Sequence, residues 1–145
     1  VALAYVQLVE QLDAHGLLDR RGHRLYGNGD VAFSWAASLI GKGFGVFPEL
    51  RITHLIAAER LTQPYFLRMV FDSTFSNTVS DYLFLGIHPT AGARRRLEML
   101  RLPLRAIRRG RFAMRMGWAG IRGTDRARAL IRLKRLQPLV LERSW

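Results

Sequence analysis

Four side chains in the first half of this chain are of types that do chemistry, and each sits where its type is useful. Asp30 opens a stretch of helix length, Val31 to Ile40, that is almost uniformly apolar or small. A carboxylate there suits the positive end of the helix dipole and can take a proton from a hydroxyl brought to it; plain helix capping is the other role. His54 closes Arg51-Ile52-Thr53-His54, which alternates polar and apolar as a half-buried strand does. A neutral imidazole is an acceptable Mn²⁺ ligand and a protonated one complements phosphate, while a structural histidine at a strand end is the simpler role. Arg60 carries a planar fork of donors for phosphate or another anion. A salt bridge to the adjacent Glu59, or packing, would use it equally well. Trp35 lies on the apolar stretch, where it could stack on a ring-shaped ligand or fill the core.

Other candidates fall away. His15, His23 and His88 are scattered over loops without a ligand spacing. Gly41-Lys42-Gly43-Phe44-Gly45 lacks both the preceding strand and the G-K-[ST] ending of a phosphate loop. Cysteine is absent, which excludes disulfides and thiolate metal sites. No apolar run reaches the length of about eighteen that a conventional membrane-spanning helix needs. The opening VALAYVQLVEQLDAHG carries acids and lacks the basic start of a signal peptide. The expected location is the cytoplasm or a membrane surface facing it.

The elements that must hold these residues follow from periodicity and punctuation. Ala4, Val6, Leu8, Val9 and Leu12 suggest a first helix ending near His15-Gly16, and Leu17 to Gly29 reads as a loop with a short extended piece at His23–Tyr26. After the Asp30 helix, Gly41, Gly43 and Gly45 forbid its continuation, and Val46-Phe47-Pro48-Glu49-Leu50 reads as strand, turn, strand. Thr62 is a good helix cap and Pro64 suits a first turn, so Tyr65 to Leu85 should pack as one or two helices. His88 to Gly92 reads as a linker.

Taken together, residues 27 to 60 resemble the acceptor-side half of an inverting family 2 glycosyltransferase of the GT-A fold. The family pattern is G-x-(E)-D-x-x-L, a helix, a glycine, two short strands around a proline, H-x-I-P and R-L-T. Asp30, Gly41, Pro48, His54, Ile56, Arg60, Leu61 and Thr62 fall on it in order. Gly29 replaces the glutamate that precedes the aspartate, so that pair is incomplete. The likeness extends over residues 1 to 70 and beyond them is one of composition only.

The resemblance implies transfer of a sugar from a nucleotide-sugar donor to a hydroxyl of a glycan or lipid-linked acceptor. Asp30 would be the base, His54 a contact to a divalent metal (Mn or Mg) or to the donor diphosphate, Arg60 a phosphate or acceptor contact, and Trp35 a platform for a sugar ring. In the family the nucleotide-binding half and its D-x-D motif precede this part, and the sequence contains no D-x-D. The main metal carboxylates would therefore lie outside this chain. A first residue of Val1 fits a processed chain or a piece of a longer one. The implied fold class is α/β (α+β within the part present): the C-terminal half of a GT-A-like domain, followed by a mostly helical basic extension.

Charge divides the chain sharply. Residues 1 to 90 hold 7 Lys/Arg and 8 Asp/Glu, whereas 91 to 145 hold 16 Lys/Arg against Glu98, Asp125 and Glu142, a net of +13. The expected organisation is an acceptor-side part over 1–62, a helical segment over 63–90 and a basic amphipathic extension over 91–145. In that extension Leu97, Leu100, Leu104 and Ile107 follow steps of three and four, with Arg94, Arg101, Arg105 and Arg108 on another face. Pro103 is expected to kink or split this helix, and Thr124-Asp125 to start another, with Ala127, Leu130, Leu133 and Leu136 opposed to Arg128, Arg132 and Arg135. Such faces, with Trp118 between them, suit an anionic membrane surface over 94–145. The rival from another class is a non-enzymatic basic module binding anionic membranes or nucleic acid. Zinc-finger spacing and RNP-like strands are absent, which disfavours nucleic acid.

Overall fold

The computed structural model describes Val6, Glu10 and residues 27–39, 41–43, 45, 47–89 and 93–138. Expectations for the first helix, for the extended piece at His23–Tyr26 and for the loop around them fall outside those residues, apart from Val6 and Glu10, which are helical. Three longer helices organise the rest: α1 (Gly29–Leu39), α2 (Gln63–Leu85) and α3 (Ala93–Leu133), with a short 3-10 turn at Ala58–Leu61 leading into α2.

This corrects the α/β expectation. Among the described residues there is no strand, so the chain does not adopt a GT-A-like half-domain there. The expected strand–turn–strand and the alternating Arg51 to His54 are instead a turn at Phe47–Leu50, closed by the Leu50 N–H on the Phe47 carbonyl at 3.0 Å, and irregular backbone to Ala57. Alternation makes a strand only where a neighbouring strand completes the ladder and a core covers one face. Here Arg51, Ile52, Thr53 and His54 are all exposed, so neither condition is met.

The helix ends follow local chemistry. Asn28 precedes α1; its carbonyl accepts the Ala32 N–H at 2.7 Å and its side-chain amide donates to Ser80 Oγ at 2.7 Å, which ties the start of α1 to α2. Pro64 sits in the first turn of α2, where its missing N–H has no intrahelical partner to lose. Gly86 ends α2 in the left-handed conformation at φ 65°, and its N–H donates to the Tyr82 carbonyl at 3.1 Å. At the end of α3 the left-handed residue is Arg135, at φ 47°. Leu136 N–H reaches back to the Ile131 carbonyl at 3.1 Å, and the Leu136 side chain is buried, which holds a conformation that a side chain disfavours.

The core lies where α1, α2 and the end of α3 meet. Ala32, Val79, Tyr82, Leu83, Phe84, Ala127, Ile131 and Leu136 form it, with Trp35, Phe75 and Leu130 packed against its edge. The Tyr82 hydroxyl donates to the Leu136 carbonyl at 2.9 Å inside it. Tyr82→Phe should therefore cost about 1–2 kcal/mol, because a buried carbonyl loses its donor. Urea unfolding of the two proteins measures this, and equal midpoints would show that the bond contributes nothing.

α3 is bent, but not where proline predicts. The helix runs through Pro103, and the one non-helical residue inside it is Gly110, at φ 83° and ψ 167°. That region is open essentially to glycine alone. Glu98 and Thr124 border the same cleft of ≈ 620 Å³. In a straight helix they would stand about 39 Å apart. The arm over 93–109 is thus folded back beside the segment over 111–133. Helix also continues unbroken through Thr124, where a new start was expected.

The 111–133 segment packs tightly on α2. Gly117, Gly120, Gly123 and Ala127 recur at steps of three and four, so they lie along one face. A Cβ placed on Gly123 would stand 2.4 Å from the Phe71 carbonyl oxygen and 3.1 Å from the Phe75 nitrogen. Two hydroxyls of α2 are satisfied within their own helix. Ser76 Oγ donates to the Asp72 carbonyl at 2.8 Å, and Thr78 Oγ1 to the Thr74 carbonyl at 2.7 Å.

Candidate functional site

The four side chains that suggested chemistry occupy different settings. Asp30 is in the first turn of α1 and exposed, and its Oδ1 accepts the Val31 N–H at 2.9 Å. Trp35 is half-buried and stacked on Phe84, with ring centres 5.2 Å apart and planes 8° from parallel. That contact gives it a packing role in the core edge. His54 is on the exposed irregular stretch, and Arg60 on the 3-10 turn that packs on α2. Among the described residues no hydrogen bond, ion pair or ring contact joins Asp30, His54 and Arg60. No group of three or more His, Asp or Glu gathers among them either. The described residues around His54 therefore do not by themselves supply a divalent-cation cage.

Two other features come forward. The first is the outer face of the α3 arm. Leu97, Leu100, Leu104 and Ile107 are 47–81% exposed, whereas Leu102 in the same arm is 2% exposed. At 100° per residue the four fall within one narrow stripe, roughly opposite Leu102. The arm therefore rests on the body through Leu102 and turns an apolar stripe outward. Arg96, Arg101 and Arg108, all exposed, flank that stripe. Arg101 is shared with Glu98 in an i,i+3 pair at 3.4 Å.

The chain matches no family model, no curated protein and no solved structure with which it was compared. Function must therefore be read from the chain's own geometry.

The second feature is a cleft of ≈ 460 Å³ between α2 and the 111–133 segment. Arg68, Arg115 and Arg122 surround it, with Phe71 and Trp118 as its aromatic walls, and the Arg122 guanidinium lies 6.0 Å from the centre of the Phe71 ring. Sequence reasoning noticed Trp118 but not the arginine cluster. The three arginines come from two helices, and nothing in their spacing announces that they meet.

No helix among the described residues is long and apolar enough to cross a membrane. The second amphipathic face expected in the extension also has another use. Ala127 and Leu136 are buried and Leu130 packs on the core, which leaves Leu133 exposed. The outward apolar stripe of the extension is therefore the one on the 93–109 arm.

Proposed function

We propose that this chain is a basic helical module that docks on anionic membrane surfaces through the outer face of the α3 arm. The observation that carries this reading is the outward stripe of Leu97, Leu100, Leu104 and Ile107, bordered by arginines, on a helix that buries Leu102 on its opposite side. A helix of this kind lies in the interface plane, apolar side down and guanidinium groups among lipid phosphates. The net +13 of residues 91 to 145 adds long-range attraction to an anionic leaflet, such as the cytoplasmic one. Co-sedimentation with vesicles tests it: anionic vesicles should retain the protein and neutral ones should not. Equal retention by both, or by neither, overturns the proposal. Binding to duplex DNA that outcompetes anionic vesicles would favour nucleic acid.

A second proposal, sugar transfer by a longer parent chain, draws on the placement of Asp30 as an exposed carboxylate in the first turn of α1. A base must reach the hydroxyl it deprotonates, and this position is accessible. Because the sequence lacks a D-x-D pair for the donor's metal, purified 1–145 should release no nucleoside diphosphate from nucleotide sugars. Release above background would show that the chemistry needs no such pair.

A further inference from the structure

The cleft between α2 and the 111–133 segment has a lining of unusual chemistry. Beyond the three arginines and two aromatic rings, its wall is Leu67 and Ala119. Its side-chain polar groups are thus the guanidinium forks and the Trp118 indole N–H, every one a donor. No carboxylate, amide or hydroxyl lines it, and the helical backbone carbonyls behind it already accept bonds from their own helices. A ligand bringing donors, such as a sugar or a nucleobase, would bury them without partners. A ligand whose polar part only accepts and whose remainder is apolar fits both halves of the lining.

The charge sets the head group. Among the described residues no carboxylate pairs with Arg68, Arg115 or Arg122. Arg115, Trp118 and Arg122 share one face of α3 and meet Arg68 and Phe71 from α2 across the cleft. Three cations without an ion-pair partner among the described residues, set around one apolar slot, favour a doubly charged oxyanion over a singly charged one. A phosphate monoester carries nearly two charges at neutral pH and matches guanidinium forks in geometry. The volume falls in the range of small-ligand pockets, roughly 300–1,000 Å³.

We propose that this cleft is a binding site for a single-chain amphiphile with a phosphate monoester head. The phosphate lies among Arg68, Arg115 and Arg122, and the alkyl chain runs between Phe71, Trp118 and Leu67. The site is separate from the outward stripe of the arm. On the 111–133 segment, Gly117, Gly120 and Thr124 border the cleft that Glu98 of the arm also borders, while Arg115, Trp118 and Arg122 face away from it.

Calorimetric titration with dodecyl phosphate, kept below its micelle concentration at pH 7.5, tests the site. Dodecyl phosphate should bind at least tenfold more tightly than dodecanoate, inorganic phosphate or neutral dodecyl maltoside. Replacing all three arginines (Arg68→Gln, Arg115→Gln, Arg122→Gln) should weaken it by about thirtyfold or more, with helical content retained because all three are exposed. Should that variant unfold, the native protein still decides. Affinity should fall severalfold as the pH drops from 7.5 to 5, because the head loses its second charge near pH 6. Replacing Leu97, Leu100, Leu104 and Ile107 with Ser should leave dodecyl phosphate binding intact. Loss of binding in that variant would place the amphiphile on the arm and overturn the site. So would equal affinity for the neutral amphiphile, full binding by the triple variant, or a pH-independent affinity.

Discussion

Gly123→Ala is expected to lower the stability of the fold by about 2 kcal/mol, although alanine is the better helix former. Methyl for hydrogen in a helix interior normally gains roughly 1 kcal/mol, because glycine leaves more chain entropy to lose. Here the methyl would stand 2.4 Å from the Phe71 carbonyl oxygen, and its other near neighbours are the Phe75 nitrogen and Thr74 Cβ, both at 3.1 Å. Two of these three obstacles are helix backbone, which cannot rotate aside as a side-chain tip can. The helices would have to separate, and overpacking of this kind costs roughly 1–3 kcal/mol or more. Gly120 supplies the control within the same face. Its added Cβ would meet Thr74 Oγ1 at 3.6 Å and Val70 Cγ1 at 3.9 Å, ordinary contact distances. Gly120→Ala should therefore be neutral or stabilising by up to about 1 kcal/mol. Thermal melts of the two variants should move in opposite directions, the Gly123 variant down by roughly 6–10 °C. A shift of the same sign in both would mean that the α2–α3 approach is not as close as described.

Changing Leu97, Leu100, Leu104 and Ile107 together to Ser should cost vesicle binding roughly three orders of magnitude at high salt. Each of these side chains stands exposed in the free protein, so transfer of the stripe to the lipid interface is a gain with little loss elsewhere. Partial burial at about 1 kcal/mol per side chain gives roughly 4 kcal/mol, or about a thousandfold. The arginine contribution, about 1 kcal/mol per cation near the surface, fades as salt shortens the screening length. Co-sedimentation over a salt series separates the two. The parent should lose affinity and then level off, whereas the serine variant should keep falling to nothing. A parent that leaves the vesicles completely at high salt has no inserted stripe, and the reading fails with it. Stability of the variant should barely change, because the four side chains cover no core.

Much of the helical framework could be read from the residues. Pro64 sits in the first turn of α2 and the helix ends at Leu85, both as expected, and Asp30 marks the start of α1. The stripe of the arm was equally legible, because steps of three and four appear in any helix regardless of its neighbours. What failed depended on partners. Arg51 to His54 alternates as strands do, but strandedness belongs to a pair of segments, and no second segment meets this one among the described residues. The bend in α3 was expected at Pro103 and lies at Gly110. Proline removes one hydrogen bond, which a solvated helix can tolerate, whereas the backbone angles of Gly110 have no helical equivalent. Gly117, Gly120 and Gly123 carry no message until α2 is placed against them. The cleft was hidden for the same reason, since Arg68 is far in sequence from Arg115 and Arg122.

The apolar side chains left outside also shape how this protein would respond to heat and denaturant. Besides the arm, Phe47, Leu50, Ile52, Leu55 and Leu61 are largely exposed already. Heat capacity of unfolding and denaturant sensitivity both scale with the apolar surface that unfolding newly uncovers. The described residues have less to uncover than their number suggests. The chain's unfolding transition should be correspondingly broad and its stability nearly level across ordinary temperatures, with neither a sharp optimum nor an abrupt collapse. Mutual repulsion from a net charge of +12 then takes on a task that burial performs in most domains, keeping one molecule's apolar surface from another's.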